Sequence, residues 1–243
     1  MNKTILITGA AKRIGASCAR LMHAEGCRII VHYQNSKAEA EALIDRLNAI
    51  RADSAWAVKA DLTNFVQIKN LAACVLDQAG SLDGLINNAA QFYPSDVTNM
   101  NENAWNNLVD SNLKAPFFLT QALLPALTQA QGCVINIVDI YGQRPLPGYA
   151  VYSMTKAALI AMTQALAKEL APGIRVNAVA PGAILWPEAG HDQTAQIELL
   201  NKVALNRCGE PEDIAKAVRY LMLDAPYVTG QILNIDGGRS LFI

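Results

Sequence analysis

Tyr152 and Lys156 stand four residues apart in Tyr152-Ser153-Met154-Thr155-Lys156, at the start of a segment with helical periodicity. Residues i and i+4 share one face of a helix. The ammonium can therefore approach the phenol, favour the tyrosinate and lower the phenol's pKa. A phenol tuned in this way donates or accepts a proton at neutral pH. A lone Tyr-x-x-x-Lys is common and usually marks a solvated helix face, so it gains meaning only from its company. Near the N-terminus lies Thr8-Gly9-Ala10-Ala11-Lys12-Arg13-Ile14-Gly15, where a first apolar run gives way to a helical pattern. Gly9 permits a tight turn and Gly15 a close helix–strand approach. The free N–H groups and dipole of the helix start can then hold a pyrophosphate.

A dinucleotide site that takes NAD usually places a carboxylate after the second strand, for the ribose 2′-hydroxyl. The corresponding stretch here is His32-Tyr33-Gln34-Asn35-Ser36, without a carboxylate, while Lys12 and Arg13 lie in the glycine turn. Cations with hydroxyl and amide donors suit a 2′-phosphate, so the expected cofactor is NADPH. Asp61-Leu62 follows the third apolar run and Asn87-Asn88-Ala89 the fourth. Their polar groups can reach an adenine amine and ribose hydroxyls, although an asparagine such as Asn87 can equally bridge neighbouring strand ends. The cofactor set read in this way is Gly9, Lys12, Arg13, Ile14, Gly15, His32, Tyr33, Asn35, Ser36, Asp61, Leu62, Asn88 and Ala89, with Tyr152, Lys156, Pro181 and Gly182 at the nicotinamide end.

The elements that must position these groups are legible as alternation. Short Ile/Val/Leu runs at 4–8, 28–33, 55–60, 84–87, 133–138, 175–179 and 231–235 read as strands buried on both faces. Helical patterns at 13–25, 37–50, 64–79, 102–129, 152–170 and 211–223 separate them. Seven strands alternating with six helices imply right-handed crossovers and an α/β fold: a Rossmann-type, doubly wound, parallel seven-stranded sheet with helices on both faces. No linker or repeat divides the chain, so a single domain over 1–243 is expected. Hydrophobic residues make up 52% and the formal net charge is −1, which excludes intrinsic disorder and bulk-charge nucleic-acid binding. No apolar run is long enough to span a membrane, and the N-terminal apolar stretch is too short for a signal peptide. Five scattered cysteines (Cys18, Cys27, Cys74, Cys133, Cys208) suit a reducing cytoplasm. The histidines His23, His32 and His191 are equally scattered, and no metal site is expected.

Taken together, Thr8-Gly9…Gly15, Asp61, Asn87-Asn88-Ala89, Asn112, Tyr152/Lys156, Pro181-Gly182 and Asp236-Gly237-Gly238 resemble the short-chain dehydrogenase/reductase superfamily over essentially the whole chain. The resemblance implies Tyr152 and Lys156 as catalytic residues, with Asn112 supporting the lysine through a water chain. It also implies a homotetramer built on the helix at 152–170 and the one before it. Most members carry a serine at the end of the fifth strand, where this chain has Asp139. A carboxylate beside a tyrosinate is repulsive, so Asp139 should act protonated or as a proton relay with the phenol. Asp139, together with Arg13 in place of a glycine and Asn88-Ala89-Ala90-Gln91-Phe92-Tyr93-Pro94, resembles the pteridine reductases, although these often have a serine at the position of Ala90. That resemblance implies a pterin stacked on Phe92 and held by Arg13, Asp139 and Tyr152. It implies NADPH-dependent reduction of a dihydropterin, and conceivably of the oxidised pterin, to the tetrahydro form. The alternative is a 3-oxoacyl-thioester or other carbonyl reductase. Residues 185–206 are expected to cover the substrate, with Trp186 either lining the pocket or capping it.

Overall fold

The strands form where aliphatic side chains run without polar interruption. Every residue of β1 (Thr4–Ile7), β4 (Gly84–Asn87) and β5 (Cys133–Ile137) is buried, as is β6 (Arg175–Pro181) beyond its first residue. That is the pattern of strands covered by helices on both sides. In the computed structural model, which describes residues 3–184 and 198–242, these strands join β2 (Arg28–Tyr33), β3 (Ala55–Lys59) and β7 (Ile232–Ile235). All pairings are parallel, in the order β3-β2-β1-β4-β5-β6-β7. The expected doubly wound α/β sheet is present. One part of the expectation is corrected: β3 and β7 are largely half-buried, because an edge strand has a neighbour on one side only.

Helices α1 (Arg13–Ala24), α2 (Lys37–Ile50) and α7 (Pro211–Arg219) cover one face of the sheet, and α3 (Phe65–Ala79), α5 (Ala115–Gln129) and α6 (Ala150–Glu169) the other. Two apolar cores result. One packs Met22, Leu43, Leu47 and Val218 against Ile5, Ile29 and Ile86. The other packs Leu71, Val75, Leu119 and Leu123 against Leu6, Ile30, Leu85 and Val134. The helix expected over 102–129 is two helices. α4 (Glu102–Val109) and α5 are joined by a π-helical turn at Asp110–Lys114. Pro116, in the first turn of α5, has no N–H to give the carbonyl of Asn112, and the ladder widens just before it.

β1 and β4 are neighbours, although β1 connects onward to β2 on its other side. Chain reversal at that point leaves a crevice beyond the strands' carboxyl ends, where open α/β sheets take their ligands. Trp186, His191 and the 185–197 part of the expected covering segment lie outside the described residues. No helix among the described residues is long and apolar enough to cross a membrane.

Candidate active site

The crevice is a cleft of about 390 Å³ lined by Gly9, Lys12, Arg13, Ile14, Gly15, His32, Asp61, Leu62, Asn88 and Ala89. A smaller cleft of about 220 Å³ adjoins Gly9 and Lys12 and is lined by Tyr33, Asn35 and Ser36. The residues expected at the phosphate and adenosine end are thus brought together. Gly9 takes φ +60°, and a Cβ there would lie 3.0 Å from the Ala89 Cα; on Gly15 a Cβ would lie 2.5 Å from the Gly9 carbonyl oxygen. Both approaches close if a side chain is added. Thr8 Oγ1 accepts the backbone N–H groups of Asn88 (2.9 Å) and Ala89 (3.0 Å), while Asn88 Nδ2 donates to the carbonyls of Thr8 (2.8 Å) and Gly9 (3.0 Å). Asn87 plays the other role open to it: its Nδ2 donates to Asn136 Oδ1 at 2.9 Å, and Asn136 Nδ2 donates to Thr163 Oγ1 at 2.9 Å, all three buried.

Three features here were not legible in the sequence. His32 is a buried strut: its Nδ1 accepts from Gly9 N–H at 3.1 Å and its Nε2 donates to the Ala60 carbonyl at 3.1 Å. Burial lowers its pKa to about 4, so the ring is neutral at physiological pH. Lys12 pairs with Glu39 of α2 at 2.5 Å, a contact between half-exposed side chains that a phosphate can displace. Arg13 takes φ +52°, a left-handed conformation that costs a non-glycine residue about 1–2 kcal/mol. That strain explains why the superfamily resemblance has a glycine at this position. α1 carries no acidic residue in its first turn, so its N-terminal field is open to an anion.

At the other end of the site, Tyr152 Oη donates to Asp139 Oδ2 at 2.7 Å, and Asp139 Oδ1 accepts from Tyr141 N–H at 2.8 Å. Lys156 Nζ donates to the Ile137 carbonyl at 2.9 Å and lies 5.7 Å from the Tyr152 ring centre. Burial lowers the Lys156 pKa to about 8, against the opposing pull of Asp139. The expected lowering of the phenol's pKa is corrected. Burial, and then the Asp139 charge and hydrogen bond, raise the Tyr152 pKa well above its ordinary value, so Tyr152 is a phenol. Burial likewise raises the Asp139 carboxyl, against the hydrogen bonds from Tyr141 and Tyr152. Asn112 does not touch Lys156 directly. Its Oδ1 accepts Gln91 N–H at 2.8 Å, and its Nδ2 donates to the Gln91 carbonyl at 2.9 Å and Thr155 Oγ1 at 3.3 Å. Phe92 stacks on Tyr149 (4.6 Å, 11° between planes) and meets Tyr152 edge-on. At the end of β6, a Cβ on Gly182 would lie 2.6 Å from the Asp236 Cα, which ties Pro181-Gly182 to the terminal Asp-Gly-Gly turn. Among the described residues, no group of three or more His, Cys, Asp or Glu side chains is placed to hold a metal.

A doubly wound parallel sheet with a glycine cradle after β1 and a Tyr-x-x-x-Lys pair on α6 defines an oxidoreductase architecture, and the chain belongs to the short-chain dehydrogenase/reductase superfamily. The matching family, described as enoyl-(acyl carrier protein) reductase, covers residues 9–240. The chain is 39% identical to the 3-oxoacyl-(acyl-carrier-protein) reductase FabG of Staphylococcus epidermidis strain RP62A, over 98% of this chain and 99% of that protein. It is 38% identical to the protein of the same name from Staphylococcus aureus strain Mu50, over 98% of each chain. It is 36% identical to the 3-oxoacyl-(acyl-carrier-protein) reductase of Synechocystis sp. strain PCC 6803, over 98% of this chain and 96% of that one. These relatives correct the expectation of a pteridine reductase. That expectation rested on Asp139, Arg13 and Phe92, whereas the similarity to proteins named as 3-oxoacyl-(acyl-carrier-protein) reductases extends over 98% of the chain.

Proposed function

We propose that the chain is an NADPH-dependent carbonyl reductase acting on 3-oxoacyl thioesters, with Tyr152 as proton donor, Asp139 and Lys156 as its partners and Asn112 as their positioning residue. The observation that carries this reading is the Tyr152–Asp139 hydrogen bond in a chain whose relatives reduce 3-oxoacyl groups by name. The glycine cradle, the open start of α1 and the cations Lys12 and Arg13 fit a dinucleotide phosphate, and Tyr33, Asn35 and Ser36 flank the place for its 2′-phosphate. Asp61 and Leu62 line the cleft on the side that would take the adenosine, and the nicotinamide would lie toward Pro181-Gly182 at the end of β6. Bound there, NADPH supplies a hydride.

The remaining chemistry belongs to the chain. Protonated Asp139 can donate a hydrogen bond to a substrate carbonyl oxygen, as the superfamily's serine hydroxyl would. Tyr152, held as a phenol, delivers its proton to that oxygen as negative charge develops on it. Lys156, buried but still cationic below pH 8 or so, stabilises the charge left on the phenol. Two hydroxyl donors converging on one oxygen suit a 3-oxo carbonyl better than an enoyl double bond, where the proton must go to carbon. The chain is further proposed to act as a homotetramer joined through α5 and α6.

NADPH oxidation with an acetoacetyl thioester, compared with a crotonyl thioester, tests the reading. Turnover of the first and not the second is expected, and Tyr152→Phe should lower kcat by about 10²- to 10⁴-fold. Turnover of the crotonyl thioester alone would overturn it.

A further inference from the structure

Arg239 follows the terminal Asp236-Gly237-Gly238 turn and opens a short 3₁₀ turn, Arg239–Leu241. It is only 7% exposed. Its Nη2 donates to the Tyr141 hydroxyl at 3.0 Å, but its Nε and Nη1 are buried without a hydrogen-bond partner among the described residues. A buried cation is strongly disfavoured unless an opposite charge pairs with it. The two carboxyl groups nearby, of which Asp139 feels the Arg239 charge, take their hydrogen bonds from other partners. Asp236 accepts the N–H groups of Gly238 and Ser240, and Asp139 accepts Tyr141 N–H and Tyr152 Oη.

Arg239 faces a cleft of about 370 Å³ whose other lining residues include Tyr141, Arg144, Leu146 and Lys202. Three cations and no carboxylate line it. Arg144 and Lys202 are exposed, so they can turn toward a ligand that Arg239 anchors. Tyr141 connects this cleft to the reacting groups, because its N–H holds Asp139 while its hydroxyl accepts from Arg239. The cleft thus opens one tyrosine ring beyond the Asp139–Tyr152 pair.

We propose that Arg239, with Lys202 and Arg144, binds an oxyanion carried by the substrate itself, a carboxylate or phosphate a few bonds from the carbonyl that is reduced. Nε and Nη1 lie on either side of Nη2, so an oxyanion can pair one of these unpartnered N–H groups with the Nη2 hydrogen that Tyr141 leaves free. The inference rests on the carbonyl-reductase part of the proposed function and extends it from thioesters to oxo compounds with an acidic end.

The test uses acetoacetate, 4-oxopentanoate and 5-oxohexanoate against their ethyl esters, with the full chain and NADPH. Binding of inorganic phosphate to the wild type and to Arg239→Gln, each saturated with NADPH so that the glycine cradle is filled, is measured separately by calorimetry. At one chain length the acid should be preferred, and Arg239→Gln should lower the acid-to-ester ratio of kcat/KM by about 10- to 100-fold, as expected for loss of a charged hydrogen bond. Arg239→Lys should restore part of it. Phosphate affinity should fall in Arg239→Gln, and also in the Arg144→Ala/Lys202→Ala double variant, whose exposed side chains leave the fold intact if Arg239→Gln fails to fold. Esters reduced as well as acids at every length, or phosphate affinity unchanged in the variants, would overturn the site and leave the reductase reading standing. Reduction neither of these compounds nor of the acetoacetyl thioester, with phosphate binding still dependent on Arg239, would overturn the reductase reading and leave an oxyanion site.

Discussion

Asp139 is the residue on which the chemistry turns. One carboxyl oxygen takes the Tyr152 hydroxyl and the other the Tyr141 N–H, and burial lifts the carboxyl above its usual range. Only its protonated form can donate to a substrate carbonyl. The wild-type kcat/KM should therefore fall as pH rises through this raised pKa. A second loss should follow near pH 8, where Lys156 gives up its proton. Asp139→Ser removes the first loss, since a serine hydroxyl donates at every working pH. The variant should hold its rate through neutrality and decline only with Lys156. That decline should come at slightly lower pH than in the wild type, because the charge on ionised Asp139 raises the Lys156 pKa. Profiles of kcat/KM from pH 5 to 10 decide this. Superimposable curves for the two proteins would mean that Asp139 does not act as an acid.

The π-helical turn between α4 and α5 works at the scale of elements, because it aims Asn112 away from the helix ladder and into the loop after β4. There Asn112 satisfies both the N–H and the carbonyl of Gln91 and reaches Thr155 on α6, so one side chain joins three elements. Asn112→Ala should leave two backbone groups unpaired, each worth about 1–3 kcal/mol where water cannot replace the bond. A lower urea midpoint together with reduced kcat is expected; unchanged stability would show that water replaces the amide. The helix expected over 102–129 did not reveal this turn, because apolar periodicity tolerates one widened turn, and Pro116 was the signal that could have marked it. The seven parallel strands and the glycine turn after β1 were legible, since Ile/Val/Leu runs, their alternation with helical patterns and the glycine spacing are written along the chain. The His32 strut and the Lys12–Glu39 pair were not, because each joins separate elements and depends on how they dock. Substrate identity failed for a related reason. Asp139, Arg13 and Phe92 each admit more than one partner, and the Tyr149 stack on Phe92 appears only once the loop after β4 meets the start of α6.

At the scale of the molecule, a chain with 52% hydrophobic residues leaves several large apolar side chains on its surface, Met154 and Phe117 among them. α6 turns Leu159, Thr163 and Ala167 inward, yet its opposite face shows Met154, Ala157, Ala161 and Ala165 to solvent, and Phe117 of α5 is 38% exposed. Alanines four residues apart form a shallow ridge that lets a second helix approach closely. In the proposed homotetramer this face would meet its own copy across a two-fold axis, so each residue added to it appears twice in one interface. Ala161→Glu should therefore set two carboxylates against each other and bury them without partners, at a cost of several kcal/mol. The same side chain on an isolated chain would lie in water and leave the sheet and both cores untouched. Light scattering at micromolar concentration should give a smaller species for the variant, with a circular dichroism spectrum like that of the wild type. Equal masses for the two proteins would remove α6 from the assembly, and a wild-type chain that is already monomeric would remove the assembly itself.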